Sequence, residues 1–270
     1  MTDDDVTVLV VRPRAQADAW VGELAALGVP ARALPLIEIV PAPDAAGVAA
    51  VFAQVEASAA EPVLVFVSPN AALGFFEAVE RTRRMPAHAH ALAWPAHAWA
   101  AATGPGTVAA LRECGVPAER IVAPPADAAQ FDSEALWAVI AGWPWAARPA
   151  WIVRGNGGRD WLGQQLRGAG ADVQVVQSYG RVAPTFSDAE RALLAEALAQ
   201  PVRWIWMFSS SEAIDHLQAL APDAHWHAGR ALASHPRIAE RARALGFGAL
   251  TIVSPTALSV ADAVSRTRIG

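Results

Sequence analysis

Val10-Val11-Arg12, followed by Leu24 and Gly28, returns as Ile152-Val153-Arg154, followed by Leu166 and Gly170, with every matched position at one constant offset. An apolar run ending in arginine, then an amphipathic run closed by glycine, is the grammar of a strand, a helix and a helix stop. Two more pairs keep the same order: Phe66-Val67-Ser68-Pro69-Asn70 with Met207-Phe208-Ser209-Ser210-Ser211, and Thr103-Gly104-Pro105 through Gly115 with Ala233-Ser234-His235-Pro236 through Gly246. Pairs in a consistent order imply two copies of one fold. The arginine unit opens copy one, whereas its serine and proline-bearing units arrive only after residue 200, so copy two is inserted inside copy one.

Outward from these stretches, short apolar runs alternate with helical patterns. The spacing predicts strand then helix at 6–11 and 14–27, 62–67 and 70–80, 98–102 and 107–113, 150–153 and 159–167, 204–208 and 212–220, and 230–233 and 237–245. Such alternation implies parallel sheets flanked by helices with right-handed crossovers. The fold class expected is α/β, with two similar parallel-sheet lobes joined by a two-stranded connector. Lobe one takes residues 1–38 and 181–270, lobe two takes 39–178, and the connector strands lie near 35–40 and 173–181, two extended segments without helix signals. A ligand is expected in a cleft between the lobes, the connector acting as a hinge.

Composition removes several classes of function. At 270 residues with 54% hydrophobic and 17% charged side chains, the chain has material for buried cores rather than disorder. No run approaches a membrane span, and Met1-Thr2-Asp3-Asp4-Asp5 is unlike a secretory leader, so a soluble cytoplasmic protein without membrane association is expected. A net charge of −5 without a basic cluster argues against nucleic acid. All 21 basic residues are arginine; without lysine there is neither a Walker-type phosphate loop nor a Schiff base to pyridoxal phosphate. The single cysteine, Cys114, can form no internal disulfide and reads as a small apolar group.

Ligands of open parallel sheets bind beyond the carboxyl ends of the strands, which directs attention to the strand-to-helix turns. Ser68-Pro69-Asn70 and Ser209-Ser210-Ser211 carry helix-cap chemistry, and Thr103-Gly104-Pro105-Gly106-Thr107 is small enough for backbone amides to approach a ligand. Each turn taken alone reads first as a cap. Several together suit an anionic ligand, because helix N-termini present unpaired N–H donors and partial positive charge. Arg12, Arg154 and Arg159 stand at or after strand ends and could add forked carboxylate contacts, or simply be solvated surface arginines. Gly155-Asn156-Gly157-Gly158 lacks the last glycine of a dinucleotide fingerprint. His88 with His90, and His225 with His227, lack a third well-spaced ligand, so no metal is expected. Trp151, Trp204 and Trp206 read as core. Tyr179 is the only tyrosine and falls on the second crossing segment, where its hydroxyl could donate a proton or the ring could simply pack.

Val8-Leu9-Val10-Val11-Arg12-Pro13, Leu36-Ile37-Glu38 after Leu34-Pro35, Phe66 to Ala71, Thr103 to Thr107, Ser133-Glu134-Ala135-Leu136, Arg154-Gly155 and the tract ending in Tyr179 together resemble the uroporphyrinogen-III synthase family. The resemblance spans nearly the whole chain and rests on the order and spacing of short motifs. It implies a cyclising hydro-lyase of tetrapyrrole biosynthesis that closes hydroxymethylbilane with inversion of the last pyrrole ring, without cofactor or metal. The substrate carries acetate and propionate arms on every ring. On this reading Tyr179 matches the family's cleft tyrosine and assists departure of the hydroxyl. Carboxylates fall to the turns at Arg12, Ser68, Pro69, Asn70, Thr103, Gly104, Gly106, Thr107, Arg154, Gly155, Ser209, Ser210 and Ser234, and a monomer is expected. Where many relatives carry further Ser/Thr-type residues, this chain has Ser234-His235-Pro236, leaving His235 as either a substrate contact or a loop histidine. Two rivals come from other classes. A hinged binding or sensing protein for small anions would ordinarily be exported or carry a DNA-binding segment, and a sugar transferase would show a clearer nucleotide site.

Overall fold

A computed structural model describes residues 6–84, 92–128 and 130–268. The chain splits into two compact units, Met1–Glu38 with Val182–Gly270 and Ile39–Arg181.

In the first unit, strand β1 (Thr7–Val10) leads into helix α1 (Arg14–Ala26) and strand β2 (Ala31–Ala33). Leu27 ends α1 and Gly28 follows with φ of 74°, a left-handed stop that costs glycine no Cβ clash. After the second unit the chain returns through α7 (Asp188–Ala199), β10 (Trp204–Phe208), α8 (Ser211–Leu220), β11 (Arg230–Ala233), α9 (Pro236–Leu245), β12 (Ala249–Ile252) and α10 (Ala257–Arg268). Ser187 opens α7 with a full capping box to Glu190. The five strands form a parallel sheet in the order β12-β11-β10-β1-β2. Val8, Val10, Ile205, Met207 and Leu232 pack with Trp20 and Leu24 of α1 and Val260 and Val264 of α10.

From the boundary strand β3 (Glu38–Pro41) the chain runs through the second unit as α2 (Ala45–Ala57), β4 (Val63–Phe66), α3 (Pro69–Thr82), β5 (Trp99–Ala102), α4 (Pro105–Glu113), β6 (Ile121–Val122), α5 (Ser133–Ile140), β7 (Pro149–Arg154), α6 (Trp161–Gly168) and β8 (Asp172–Gln177) to the boundary strand β9 (Tyr179–Val182). The second unit's parallel sheet runs β6-β5-β4-β7-β8. Phe52, Phe66, Phe75 and Phe76 meet largely edge to face beside Trp94, an arrangement that suits aromatic quadrupoles. The two sheets correspond strand for strand: β1, β2, β10, β11 and β12 hold the places of β7, β8, β4, β5 and β6. The duplicated arginine, serine and Gly-Pro stretches therefore occupy equivalent strand ends.

Strands β3 and β9 form a two-stranded sheet where the chain passes from one unit to the other. One expectation needs correction here. Residues 173–177 are not connector but belong to the edge strand β8, paired with β7 from Pro149↔Asp172 to Arg154↔Gln177. The run breaks at Ser178, which is fully buried and donates its hydroxyl to the Ala71 carbonyl at 2.9 Å. Only after that anchor does the connector strand begin.

Trp151, Trp204 and Trp206 are buried in strands, as their sequence setting suggests. His88 and His90 lie outside the described residues. Among the described residues no helix is long and apolar enough to cross a membrane. Cys114 caps α4 and is buried; loss of hydration, with Glu113 and Glu80 nearby, pushes its thiol pKa up to about 12. Alkylation by a neutral thiol reagent at pH 8 should therefore be slow in the native protein, and fast once denaturant unfolds it. The same shift means that Cys114 does not weaken the fold below the ordinary thiol pKa, and that stability falls as pH rises from there towards about 12. Rapid native-state labelling, followed by mass, would contradict this assignment.

Candidate active site

In each sheet the chain order reverses between two neighbouring central strands: β4 and β7 in the second unit, β10 and β1 in the first. Such a switch point opens a crevice at the carboxyl ends, because the crossovers on its two sides leave in opposite directions.

At the second unit's switch point, Ser68 follows β4 and Gly155 follows β7. Ser68 is the N-cap of α3: its Oγ accepts the Ala71 N–H at 3.1 Å, and Pro69 occupies the first helical turn. Asn70 adds one of the N–H groups that a helix start leaves without an intrahelical acceptor. Tyr179 closes the assembly, with its hydroxyl 3.3 Å from Ser68 Oγ. The ring lies so close to Gly155 that a Cβ there would stand 2.7 Å from Tyr179 Cζ. Gly155 thus acts as the seat of the tyrosine ring rather than as an open amide. Tyr179 as a whole is buried, 6% exposed.

The neighbouring turn differs from expectation. Thr103, Gly104 and Thr107 are buried, and only Pro105 and Gly106 of the Thr103–Thr107 stretch are exposed. Thr103 Oγ1 donates to the Val67 carbonyl at 3.2 Å, tying this turn to that after β4. Gly104 lies under Phe131, whose Cβ would stand 2.9 Å from an added Cβ. Of the two exposed residues only Gly106 has a main-chain N–H, since proline has none. Arg154 directs Nη1 at the carbonyls of Gly158 and Arg159, at 3.4 and 3.5 Å. Arg159 is already forked onto Glu134 at 2.7 and 3.1 Å, an ion pair that holds the Glu134 carboxyl below the usual range. The glycine-rich loop continues to Asp160 before α6 starts, too long for the tight strand-to-helix turn of a dinucleotide site.

At the first unit's switch point stand Arg12, after β1, and Ser209-Ser210-Ser211, after β10. The Arg12 guanidinium lies 4.3 Å from the Trp20 ring centroid, its Nε is buried without a partner, and burial lowers its pKa against the pull of Glu23. Ser210 is the N-cap position of α8, but its side chain makes no cap bond. Ser234 donates its N–H to the Phe208 carbonyl at 3.0 Å. His235 is the cap of α9, its Nδ1 accepting the Arg237 N–H at 3.2 Å.

Three residues that sequence reasoning passed over complete the second unit's site. Ser178 anchors the turn before Tyr179, and Gly74 lets α3 approach it: a Cβ at Gly74 would stand 2.5 Å from the Ser178 carbonyl oxygen. Asn156 bonds both main-chain groups of Arg181. Asn156 belongs to the glycine-rich loop after β7, and Ser178 to the segment 173–181; Gly74 carries no local signal at all.

Comparison with known proteins agrees with this architecture. A family model described as uroporphyrinogen-III synthase HemD matches residues 18–260. The uroporphyrinogen-III synthase of Salmonella typhimurium is 30% identical over 258 residues, covering 90% of this chain and 92% of the relative. That of Escherichia coli is 30% identical over 247 residues, with the same two coverages. Among solved structures, a mutant uroporphyrinogen III synthase of Thermus thermophilus covers 98% of both chains with a TM-score of 0.56 at 17% identity. The Helicobacter pylori enzyme covers 97% of this chain and 99% of its own with a TM-score of 0.55 at 14% identity. These two structures support the fold, and the sequence matches carry the family: the chain belongs to the uroporphyrinogen-III synthases.

Proposed function

We propose that this chain cyclises hydroxymethylbilane to uroporphyrinogen III, and that Tyr179 is the proton donor for the leaving hydroxyl. The observation that carries the second part is the hydroxyl pair of Tyr179 and Ser68 at the switch point of a parallel sheet. Ser68 Oγ already accepts one N–H, so its own proton is available to the phenol oxygen. In that orientation the phenol proton points away from Ser68, and the phenolate formed on giving it up keeps a donor.

The step balances without redox chemistry. The C–O bond of the hydroxymethyl group breaks, the oxygen leaves as water with the tyrosine proton, and the carbon bonds to the substituted position of the last ring. In that spiro intermediate the older bond, from the substituted carbon to the methylene of the preceding ring, breaks; that methylene bonds instead to the free α carbon of the last ring, and the proton this carbon loses as the inverted ring regains aromaticity restores the phenol. No electrons are transferred. Because the bilane also closes unaided to the uninverted isomer, the protein's main task is to hold the two chain ends in the less accessible geometry. The helix starts at Asn70 and Gly106 in the second unit, and the turn at Ser209 in the first, are each suited to carboxylate arms through main-chain N–H groups. Arg12, its guanidinium over the Trp20 ring, offers a cation at the first unit's switch point.

Freshly prepared hydroxymethylbilane supplied to the purified protein tests the function: the product should shift from isomer I to isomer III. Isomer I alone, formed at the unassisted rate, would sink the assignment.

A further inference from the structure

Tyr179 begins β9, immediately after the chain leaves the sheet at Ser178. The last sheet bond before it is the Ser178 N–H to the Arg154 carbonyl at 2.9 Å. Beyond that point the loop after β7 keeps its hold by a different means. Asn156 Nδ2 donates to the Arg181 carbonyl at 3.0 Å, and Asn156 Oδ1 accepts the Arg181 N–H at 2.9 Å. A side-chain amide presents one acceptor and two donors in a plane, so it can pair with a strand residue as another strand would. Gln177 assists one step earlier, its Nε2 donating to the Tyr179 carbonyl at 3.2 Å. Tyr179 is thus bracketed by main-chain grips on both sides, while its ring rests on Gly155, the residue before Asn156.

We propose that Asn156 is a positioning residue for ring closure: by gripping both main-chain groups of Arg181 it fixes β9 against the loop after β7, so that Tyr179 stays seated on Gly155 with its hydroxyl at Ser68. The inference rests on the assignment of Tyr179 as proton donor. Asn156 itself is exposed, and its side-chain amide bonds the Arg181 main chain, so its effect is transmitted through that main chain. Small displacements suffice, since misplacing a reacting group by about 1 Å costs on the order of 100-fold in rate.

The test is a double-mutant cycle on the full-length protein. Asn156→Ala should lower kcat on the order of tenfold with KM little changed, since carboxylate-holding turns are untouched and only the donor's placement suffers. In a Tyr179→Phe background the same change should cost nothing further, because the hydroxyl it positions is gone. Asn156→Asp, which keeps the shape but turns an oxygen towards the Arg181 carbonyl, should repeat this pattern and stands in should the alanine variant not fold. Since Tyr179 is the only tyrosine, tyrosine labelled at the ring Cζ alone gives one carbon NMR signal, which should shift or split in either variant. An additive loss in the Tyr179→Phe background, a loss confined to KM, wild-type turnover, or an unmoved tyrosine signal overturns the proposal. A Tyr179→Phe enzyme with full turnover removes the donor and this inference with it, whereas an impaired Tyr179→Phe enzyme with an additive Asn156→Ala loss removes the inference alone.

Discussion

Tyr179→Phe should lower turnover on hydroxymethylbilane by about 10- to 100-fold and raise the share of the uninverted isomer. Positioned general acids contribute roughly 10²- to 10⁴-fold; the loss here should lie at or below the lower end because the bilane loses its hydroxyl readily by itself. The variant keeps the ring that packs against Gly155 and loses only the bond to Ser68 at 3.3 Å, so stability should change by no more than about 1 kcal/mol. KM should move little, since the N–H groups proposed to hold the carboxylates belong to the backbone. Ser68→Ala provides the contrast. It removes the α3 cap and the partner of the phenol but leaves the proton donor, and its cost in rate should be only a few-fold beside about 1 kcal/mol in stability. Single-turnover assays that separate isomers I and III read both effects. Equal losses in the two variants would argue that the hydroxyl pair matters only as a strut, and undiminished turnover of Tyr179→Phe would remove the tyrosine from the chemistry.

The α/β class and the duplicated units were legible because both rest on periodicity, which a sequence displays directly. β1, β4, β5, β7, β10 and β11 are read from apolar runs, and each helix that follows them is read from spacing. The strands β2, β6 and β12 were not, at two to four residues and largely unburied. Too short for alternation to register, they sit at or near sheet edges where their side chains meet solvent. The candidate site was legible as a set of turns, not as contacts. Position along a strand put Ser68 and Gly155 at carboxyl ends, but nothing local says that the Tyr179 ring lies on Gly155, since 24 residues separate them (179 minus 155). Nor can composition tell that Thr103 and Thr107 turn inward while Gly106 faces out. His235 shows that a contact can also be local: its ring caps the helix that Pro236 opens.

The same substitution should act with opposite signs at two helical glycines, and the difference isolates what holds Tyr179. At Gly22, in α1, an added Cβ meets nothing within 4 Å, so Gly22→Ala should stabilise by about 0.5–1 kcal/mol through helix propensity and a less flexible unfolded chain. At Gly74, in α3, the Cβ would stand 2.5 Å from the Ser178 carbonyl oxygen and 3.3 Å from Tyr179 Cβ. The obstacle is main chain, and Ser178 cannot retreat without losing its hydroxyl bond to Ala71, which belongs to the same helix. Overpacking against a backbone belongs at the upper end of the usual range, about 3 kcal/mol, of which the propensity gain offsets about 1, leaving Gly74→Ala destabilised by about 2 kcal/mol. Urea unfolding followed by circular dichroism measures both signs. If α3 moved away instead, Ser68 at its start would carry the hydroxyl partner away from Tyr179, so Gly74→Ala should also lose activity in proportion to the loss caused by Tyr179→Phe. A Gly74→Ala enzyme as stable and as active as the parent would mean that α3 and the Ser178–Tyr179 turn do not meet as closely as their geometry requires.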